Sequence, residues 1–139
     1  MKNLLIDTNI VIDLLAQRAS FYHDAAVLFS LADRNTVQLY VSALTMANTN
    51  YVLLKNLSPA EARTTLRKLQ ILVNIVPLDE KIVELALNDE YFSDFEDGLQ
   101  YYTAIEHKAD AIITRNLKDF KNSVLPVMTA GQFLAKLQK

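Results

Sequence analysis

Five short apolar runs, separated by longer segments of helical periodicity, limit most strongly what this 139-residue chain can fold into. Runs of this length that are continuously apolar are typical of strands buried on both faces. They are Leu4 to Ile6, Leu39 to Val41, Asn74 to Val76, Ala111 to Thr114 and Leu125 to Met128. Strands that alternate with helices pair in parallel through right-handed crossovers, with helices on both faces. We therefore predict one α/β domain over residues 1–139, with a central parallel sheet of about five strands.

The segments between these runs carry signals for helix starts. Two are capping boxes in which a serine precedes a glutamate by three residues, at Ser58 to Glu61 and Ser93 to Glu96. They predict helices that end near Ile71 and His107. Further predicted caps are Asp79 for a helix through Leu87, Thr129 for the last helix, Ser20 for residues 21–34 and Ser42 for residues 43–56.

Composition and motifs exclude several classes of protein. The chain has no cysteine, which rules out thiolate metal sites, a cysteine nucleophile and disulfides. No apolar stretch approaches the roughly 18 residues of a spanning helix, so we expect no membrane partner and a cytoplasmic location. The sequence also lacks a glycine-rich phosphate loop, a G-x-S-x-G elbow and an H-E-x-x-H motif.

The net charge of −2 is the sum of segregated charges. Residues 79–97 hold eight acids and one base, whereas residues 55–68 and the chain beyond Gly98, up to Lys139, are mainly basic. Solvated helix faces explain such clusters, and so does an acidic site flanked by basic surfaces that bind a phosphate backbone.

Asp13, six residues after Asp7, is predicted to be a surface acid.

Three polar elements fall where the carboxyl ends of the strands should meet. Asp7 follows the first strand, Asn116 and Asp119 follow the fourth, and Asp94 and Asp97 begin a helix. Each has a structural explanation as a helix cap, a turn or a first-turn acid. Ligands of parallel sheets nevertheless bind at this edge, and hard oxygen donors suit Mg²⁺ or Mn²⁺.

Four motifs in this order resemble those of PIN domains, the ribonuclease fold of VapC-type toxins. They are L-L-I-D-T-N at residues 4–9, V-S-A-L-T at 41–45, D-F-E-D-G-L-Q-Y-Y-T-A at 94–104 and T-R-N-L-K-D-F at 114–120. The resemblance covers essentially the whole chain. It implies an endoribonuclease that depends on Mg²⁺ or Mn²⁺ and hydrolyses phosphodiester bonds of RNA. It also implies a homodimer and, as a further partner, an antitoxin protein.

The resemblance also assigns roles to residues. It implies that three acids hold the metal and form the catalytic set, with Asp94 as a further candidate ligand: Asp7, Asp97 and Asp119. Asn116 is the alternative to Asp119 for the last position, and we favour the carboxylate. The supporting residues would be Thr8, Asn9, Asn48, Thr114 and Asn116. Contacts with the RNA backbone would come from Arg115 and Lys118.

One departure from the family pattern concerns Asn48, which we expect to occupy the position of a glutamate in the family. The family usually has a glutamate shortly after the V-S-A-L-T segment, whereas this chain has no acid from Val41 to Lys55. The nuclease is therefore intact, weakened or lost, and Asp94 or Glu96 could compensate. The alternative function is a nucleic-acid-binding or interaction protein of the same fold. A small-substrate phosphohydrolase acting through Asp7 has less support, since its loop lacks a second aspartate.

Overall fold

The five predicted strands form one parallel sheet in the computed structural model, which describes residues 1–138. Lys139, one of the C-terminal bases, lies outside the described residues. The strands are β1 (Lys2–Ile6), β2 (Val37–Ser42), β3 (Asn74–Val76), β4 (Ala111–Ile113) and β5 (Val127–Met128). The α/β fold is thus confirmed, with β1 and β2 longer than predicted and β4 and β5 shorter.

The strand order, β3-β2-β1-β4-β5, places β1 at the centre of the sheet. Leu4 on β1 pairs with Leu39 on β2 and with Ala111 on β4. After β1 the chain first builds one half of the sheet, through β2 and β3, and then returns to build the other half. The carboxyl ends of β1 and β4 therefore flank a topological switch point, where sheets of this kind bind ligands.

Seven α-helices and one 3-10 helix connect the strands within residues 1–138. They are α1 (Thr8–Leu15), α2 (Tyr22–Asp33), α3 (Ala43–Leu53), α4 (Pro59–Leu72), α5 (Glu80–Leu87), α6 (Phe95–Glu106), the 3-10 helix (Leu117–Phe120) and α7 (Ala130–Leu137). The structure confirms capping boxes at α4 and α7, and side-chain caps from Ser42 at α3 and Asp79 at α5.

Two predicted caps are wrong. Ser20 has a backbone φ of 72°, which is incompatible with the extended conformation of a capping residue, and α2 begins after Phe21 without a side-chain cap. The cap of α6 is Asp94, because Asp94 accepts a hydrogen bond from the backbone N–H of Glu96. Ser93 lies one residue before the cap, so there is no capping box at this helix.

The core lies on both faces of the sheet because successive residues of β1 point to opposite sides. Leu4 and Ile6 pack with apolar residues of α1, α2 and α7 on one face, and Leu5 packs with Ile112 and Phe120 on the other. All of these side chains are buried. None of the helices within residues 1–138 is long and apolar enough to cross a membrane.

Candidate metal and phosphodiester site

Asp7 ends β1 and caps α1, so a single carboxylate lies at the edge of the central strand. Its backbone N–H donates to the Ile113 carbonyl at 2.9 Å, which extends the pairing with β4. Its Oδ1 accepts from the Thr8 backbone N–H, and its Oδ2 accepts from the Thr114 hydroxyl, both at 2.8 Å. Asp7 is only 7% exposed. Burial raises the pKa of Asp7, and these two hydrogen bonds offset only part of that effect.

Thr114, the residue after β4, connects Asp7 to the loop that follows. Its Oγ1 accepts from Asn9 Nδ2 at 3.3 Å and from the Asn116 backbone N–H at 3.1 Å. Asn9 Nδ2 also lies 3.4 Å from Asp7 Oδ2, and Asn9 Oδ1 accepts from the Arg115 backbone N–H at 3.2 Å. These contacts hold the carboxylate of Asp7 in one orientation, as supporting residues of a ligand do.

The start of α6 brings further acids to the same edge. Asp94 caps the helix, with its Oδ1 2.8 Å from the Glu96 backbone nitrogen, and Asp97 lies in the first turn. The pKa of Asp97 is raised to about 7, first by burial and then by the charges of neighbouring carboxylates. Those neighbours are Asp94, Asp119, Asp7 and Glu96. The acids of α6 therefore lie within electrostatic range of Asp7 and Asp119, which belong to two other elements.

Asp119 reaches this place from the 3-10 helix after β4. Its charge contributes to the raised pKa of both Asp7 and Asp97. Asn116 contributes through its backbone, since its carbonyl accepts from the Asp119 N–H at 3.0 Å, and the residue itself is exposed. Which of Asn116 and Asp119 would hold a metal stays a prediction from the sequence.

Asn48 and a layer of hydroxyl groups lie beside the acids. Asn48 Nδ2 donates to Glu96 Oε1, a contact between α3 and α6. Thr8 Oγ1 lies 3.0 Å from Thr45 Oγ1, and Gln100 Nε2 donates to Thr45 Oγ1 at 2.8 Å. The sequence does not predict Thr45 or Gln100 as site residues. What could indicate them is that each is a polar residue on a helix face that is otherwise buried.

Arg115 and Lys118, the predicted contacts with the RNA backbone, differ in their surroundings. Arg115 Nε donates to Asp13 Oδ2 at 2.8 Å, and its guanidinium lies 4.0 Å from the centre of the Phe21 ring. Lys118 is exposed. The prediction of a surface location for Asp13 is wrong: it is 1% exposed, because this ion pair buries it beneath the loop.

The chemistry of this donor set fits Mg²⁺ or Mn²⁺. The groups are carboxylate and amide oxygens, the ligands that hard cations prefer, and a cation would relieve the repulsion among the acids. In the side-chain positions shown, no three acidic or histidine side chains of residues 1–138 converge closely enough to hold an ion. Binding would therefore require rotation of exposed carboxylates toward the buried Asp7.

Solved structures of toxins share the fold. A toxin–antitoxin complex from Klebsiella pneumoniae is 27% identical, over 91% of this chain and 97% of that chain, with a TM-score of 0.69. VapBC2 from Rickettsia felis, bound to a DNA fragment from its promoter, is 20% identical over 91% and 96%, with a TM-score of 0.65. VapC20 from Mycobacterium tuberculosis, a sarcin-ricin loop cleaving toxin, is 14% identical over 78% and 86%, with a TM-score of 0.62.

A family model extends this likeness to the sequence. No curated protein matches the chain significantly. The model described as "PIN domain" matches residues 3–118, a range that contains Asp7, the whole start of α6 and the chain after β4 up to Lys118, one residue before Asp119. The match covers most of the chain and both strands that flank the acids, and on this ground the chain belongs to the PIN domain family.

Proposed function

We propose that this protein is an endoribonuclease that depends on Mg²⁺ or Mn²⁺ and hydrolyses phosphodiester bonds of RNA. The observation that carries the proposal is that Asp7, Asp97 and Asp119, from three different elements, lie within electrostatic range of one another at the switch point of the sheet, where burial and then the neighbouring carboxylates raise the pKa of Asp97 to about 7. A purely structural role does not account for acids from three elements that repel one another. Membership of the PIN domain family supports the same activity.

In this proposal Asp7, Asp97 and Asp119 hold the metal, and Asp94 is a further candidate. When bound, Mg²⁺ or Mn²⁺ supplies a Lewis acid that stabilises charge on the phosphate and lowers the pKa of the attacking water. Thr114 and Asn9 keep Asp7 oriented. One of the carboxylates would accept the proton of the water as the water oxygen bonds to phosphorus, the ester bond to the leaving oxygen breaks, and that oxygen takes a proton from solvent.

We further propose that the protein is the toxin of a toxin–antitoxin pair, a homodimer with an antitoxin as its protein partner. The solved structures that share its fold include a toxin–antitoxin complex, which supports this role. Of the two predicted contacts with RNA, the exposed Lys118 is free to reach the backbone, whereas the guanidinium of Arg115 binds Asp13. The cytoplasmic location remains a prediction from the sequence.

A second candidate is a nucleic-acid-binding or interaction protein of the same fold that does not cleave RNA. Asn48 favours it, because an amide at this position removes one negative charge from the site and cannot act as a base. The two candidates differ in their dependence on the acids: binding alone would not require Asp97.

The test is cleavage of a pool of structured RNAs with Mg²⁺ or Mn²⁺, by wild type, Asp97→Asn and Asp33→Asn. Asp33 is an exposed acid at the end of α2 and serves as the control. We expect cleavage by wild type and Asp33→Asn, none in EDTA, and a loss of at least about 100-fold in Asp97→Asn. Binding of RNA without cleavage would favour the second candidate, and cleavage unaffected by Asp97→Asn would exclude the mechanism.

A further inference from the structure

Two polar contacts connect α3 to α6 beside the acids. Asn48 on α3 donates to Glu96 on α6, and one turn deeper Gln100 donates to Thr45 at 2.8 Å. The spacing on each helix matches: three residues separate Thr45 from Asn48, and four separate Glu96 from Gln100. Residues with these spacings share a helix face, so the two contacts form one polar seam.

The deeper contact is buried. Thr45 is fully buried and Gln100 is 2% exposed. Thr45 also contacts the hydroxyls of Thr8, at 3.0 Å, and Ser42, at 3.3 Å. Thr8 directly follows Asp7, so the seam has a fixed position relative to the carboxylate at the end of β1. Asn48, which donates to Glu96, lies one turn along α3 from this layer.

The seam also contains an acceptor without a protein partner. Gln100 Oε1 is buried and has no hydrogen-bond partner within residues 1–138. A buried acceptor without a partner costs about 1–3 kcal/mol and is a place where a water or a hydrated ligand can bind. This atom belongs to the side chain one turn along α6 from Glu96. A water or ligand bound here would satisfy an acceptor that residues 1–138 leave without a partner.

Glu96 also lies beside two of the proposed ligands in the chain. It directly precedes Asp97 in the first turn of α6, the helix that Asp94 caps. It is exposed, so it can turn toward a cation without losing a buried environment. Asn48 limits this freedom, because its amide holds one carboxylate oxygen of Glu96.

We propose that Glu96 supplies the carboxylate that the family pattern places at position 48, and that Asn48 has become the residue that orients it. This inference rests on the proposed metal-dependent function and concerns one ligand of that site. In this proposal the acid that is missing from α3 at Asn48 is replaced by an acid on α6, so the site keeps the same number of acids. An amide is suited to the orienting role, because its N–H donates to a carboxylate.

The exchange has a consequence that a simple loss of the glutamate does not have. A glutamate at position 48 would bring a second carboxylate to Glu96, at the place where the amide now donates. A glutamate at position 48 cannot donate to Glu96, and its charge repels the Glu96 carboxylate, so Glu96 loses the orientation that Asn48 gives it. Asn48→Glu alone should therefore weaken the site, and Glu96→Gln should relieve the defect, because its amide can donate to the carboxylate at position 48.

The experiment is titration of Mn²⁺ by calorimetry, together with thermal unfolding without metal as a check of folding. The variants are Glu96→Gln, Asn48→Glu, the double variant and Asp97→Asn. Glu80→Gln is the matched control, since Glu80 is an exposed glutamate in the first turn of α5. We expect Glu96→Gln and Asn48→Glu each to weaken Mn²⁺ binding by about 10-fold or more. The Mn²⁺ affinity of the double variant should return to within about 3-fold of that of wild type. The affinity of the control should stay within the same range.

Three outcomes would separate this inference from the proposed function. If Asp97→Asn abolishes binding but Glu96→Gln leaves it unchanged, the inference is wrong and the metal site stands. If Asn48→Glu binds Mn²⁺ more tightly than wild type, Asn48 is a lost ligand and the exchange is again wrong. If wild type does not bind Mn²⁺ at all, the proposed function fails, and the inference fails with it.

Discussion

Asp7 and Asp13 are two buried carboxylates six residues apart on one segment, and the molecule treats them differently. They are 7% and 1% exposed. Asp13 has protein cations beside it: Arg115 Nε at 2.8 Å and, more distantly, Arg18 Nη1 at 4.0 Å. Burial raises the pKa of Asp13, and Arg115 counteracts that effect.

Asp7 has no basic partner among residues 1–138, and its donors are hydroxyl and amide groups. Burial raises its pKa as well, and here the neighbouring charges, from Glu96 and Asp119, raise it further. A buried charge that lacks a partner costs several kcal/mol. The comparison teaches that the same residue type is paired with a protein cation at one position and, within residues 1–138, has none at the other.

The largest effect should follow from removal of the internal cation. Arg115→Met leaves Asp13 buried without its main partner, so we expect the free energy of unfolding to fall by about 2–4 kcal/mol. Chemical denaturation measures it. Lys118→Met changes an exposed base on the same loop and should cost less than about 0.5 kcal/mol. Equal costs for the two variants would contradict the contrast between Asp7 and Asp13.

The unneutralised site should show itself in the pH dependence of stability. The pKa of Asp97 rises from 3.8 in the unfolded chain to about 7 in the folded protein, so the folded state binds more protons between these values. The metal-free protein should therefore lose stability as pH rises from about 4 to 7, by about 1–2 kcal/mol once solvent screening is allowed for.

Asp97→Asn should flatten this slope, because its side chain does not titrate, whereas Asp33→Asn should retain it. Denaturation of each protein at several pH values, without divalent metal, makes the measurement. A metal-free wild type that gains stability over the same interval would show that the acids do not repel one another in solution.

The smallest effect concerns uncharged groups on α3. Thr49 is fully buried and its hydroxyl has no partner within residues 1–138, whereas Thr45 contacts three polar side chains. Thr49→Val should therefore leave stability unchanged or raise it by up to about 1 kcal/mol, and Thr45→Val should lower it by about 1–2 kcal/mol. Thermal unfolding of both variants checks this. A loss at Thr49 as large as that at Thr45 would mean that its hydroxyl has a bound partner.

Local sequence patterns were enough to predict much of this protein. The apolar runs predicted all five strands, and the alternation with helices predicted a parallel sheet. Asp7 could be placed at the edge of the sheet because strand ends in a parallel sheet meet there. Caps were predictable where the cap and its partner are three residues apart, as at Ser42 and Asp79. At Ser20 the same pattern failed, because the backbone there takes φ of 72°.

The contacts that distinguish one acid from another were decided only by the tertiary structure. Asp13 and Arg115 are 102 positions apart, and Asn48 and Glu96 are 48 apart. Such pairs form only when packing fixes how far each helix is rotated and shifted relative to its neighbour, which no local pattern encodes. The sequence by itself determined which elements would bring carboxylates to the sheet edge. Packing decided that Asp13 would be neutralised by Arg115, and that Asn48 would face Glu96.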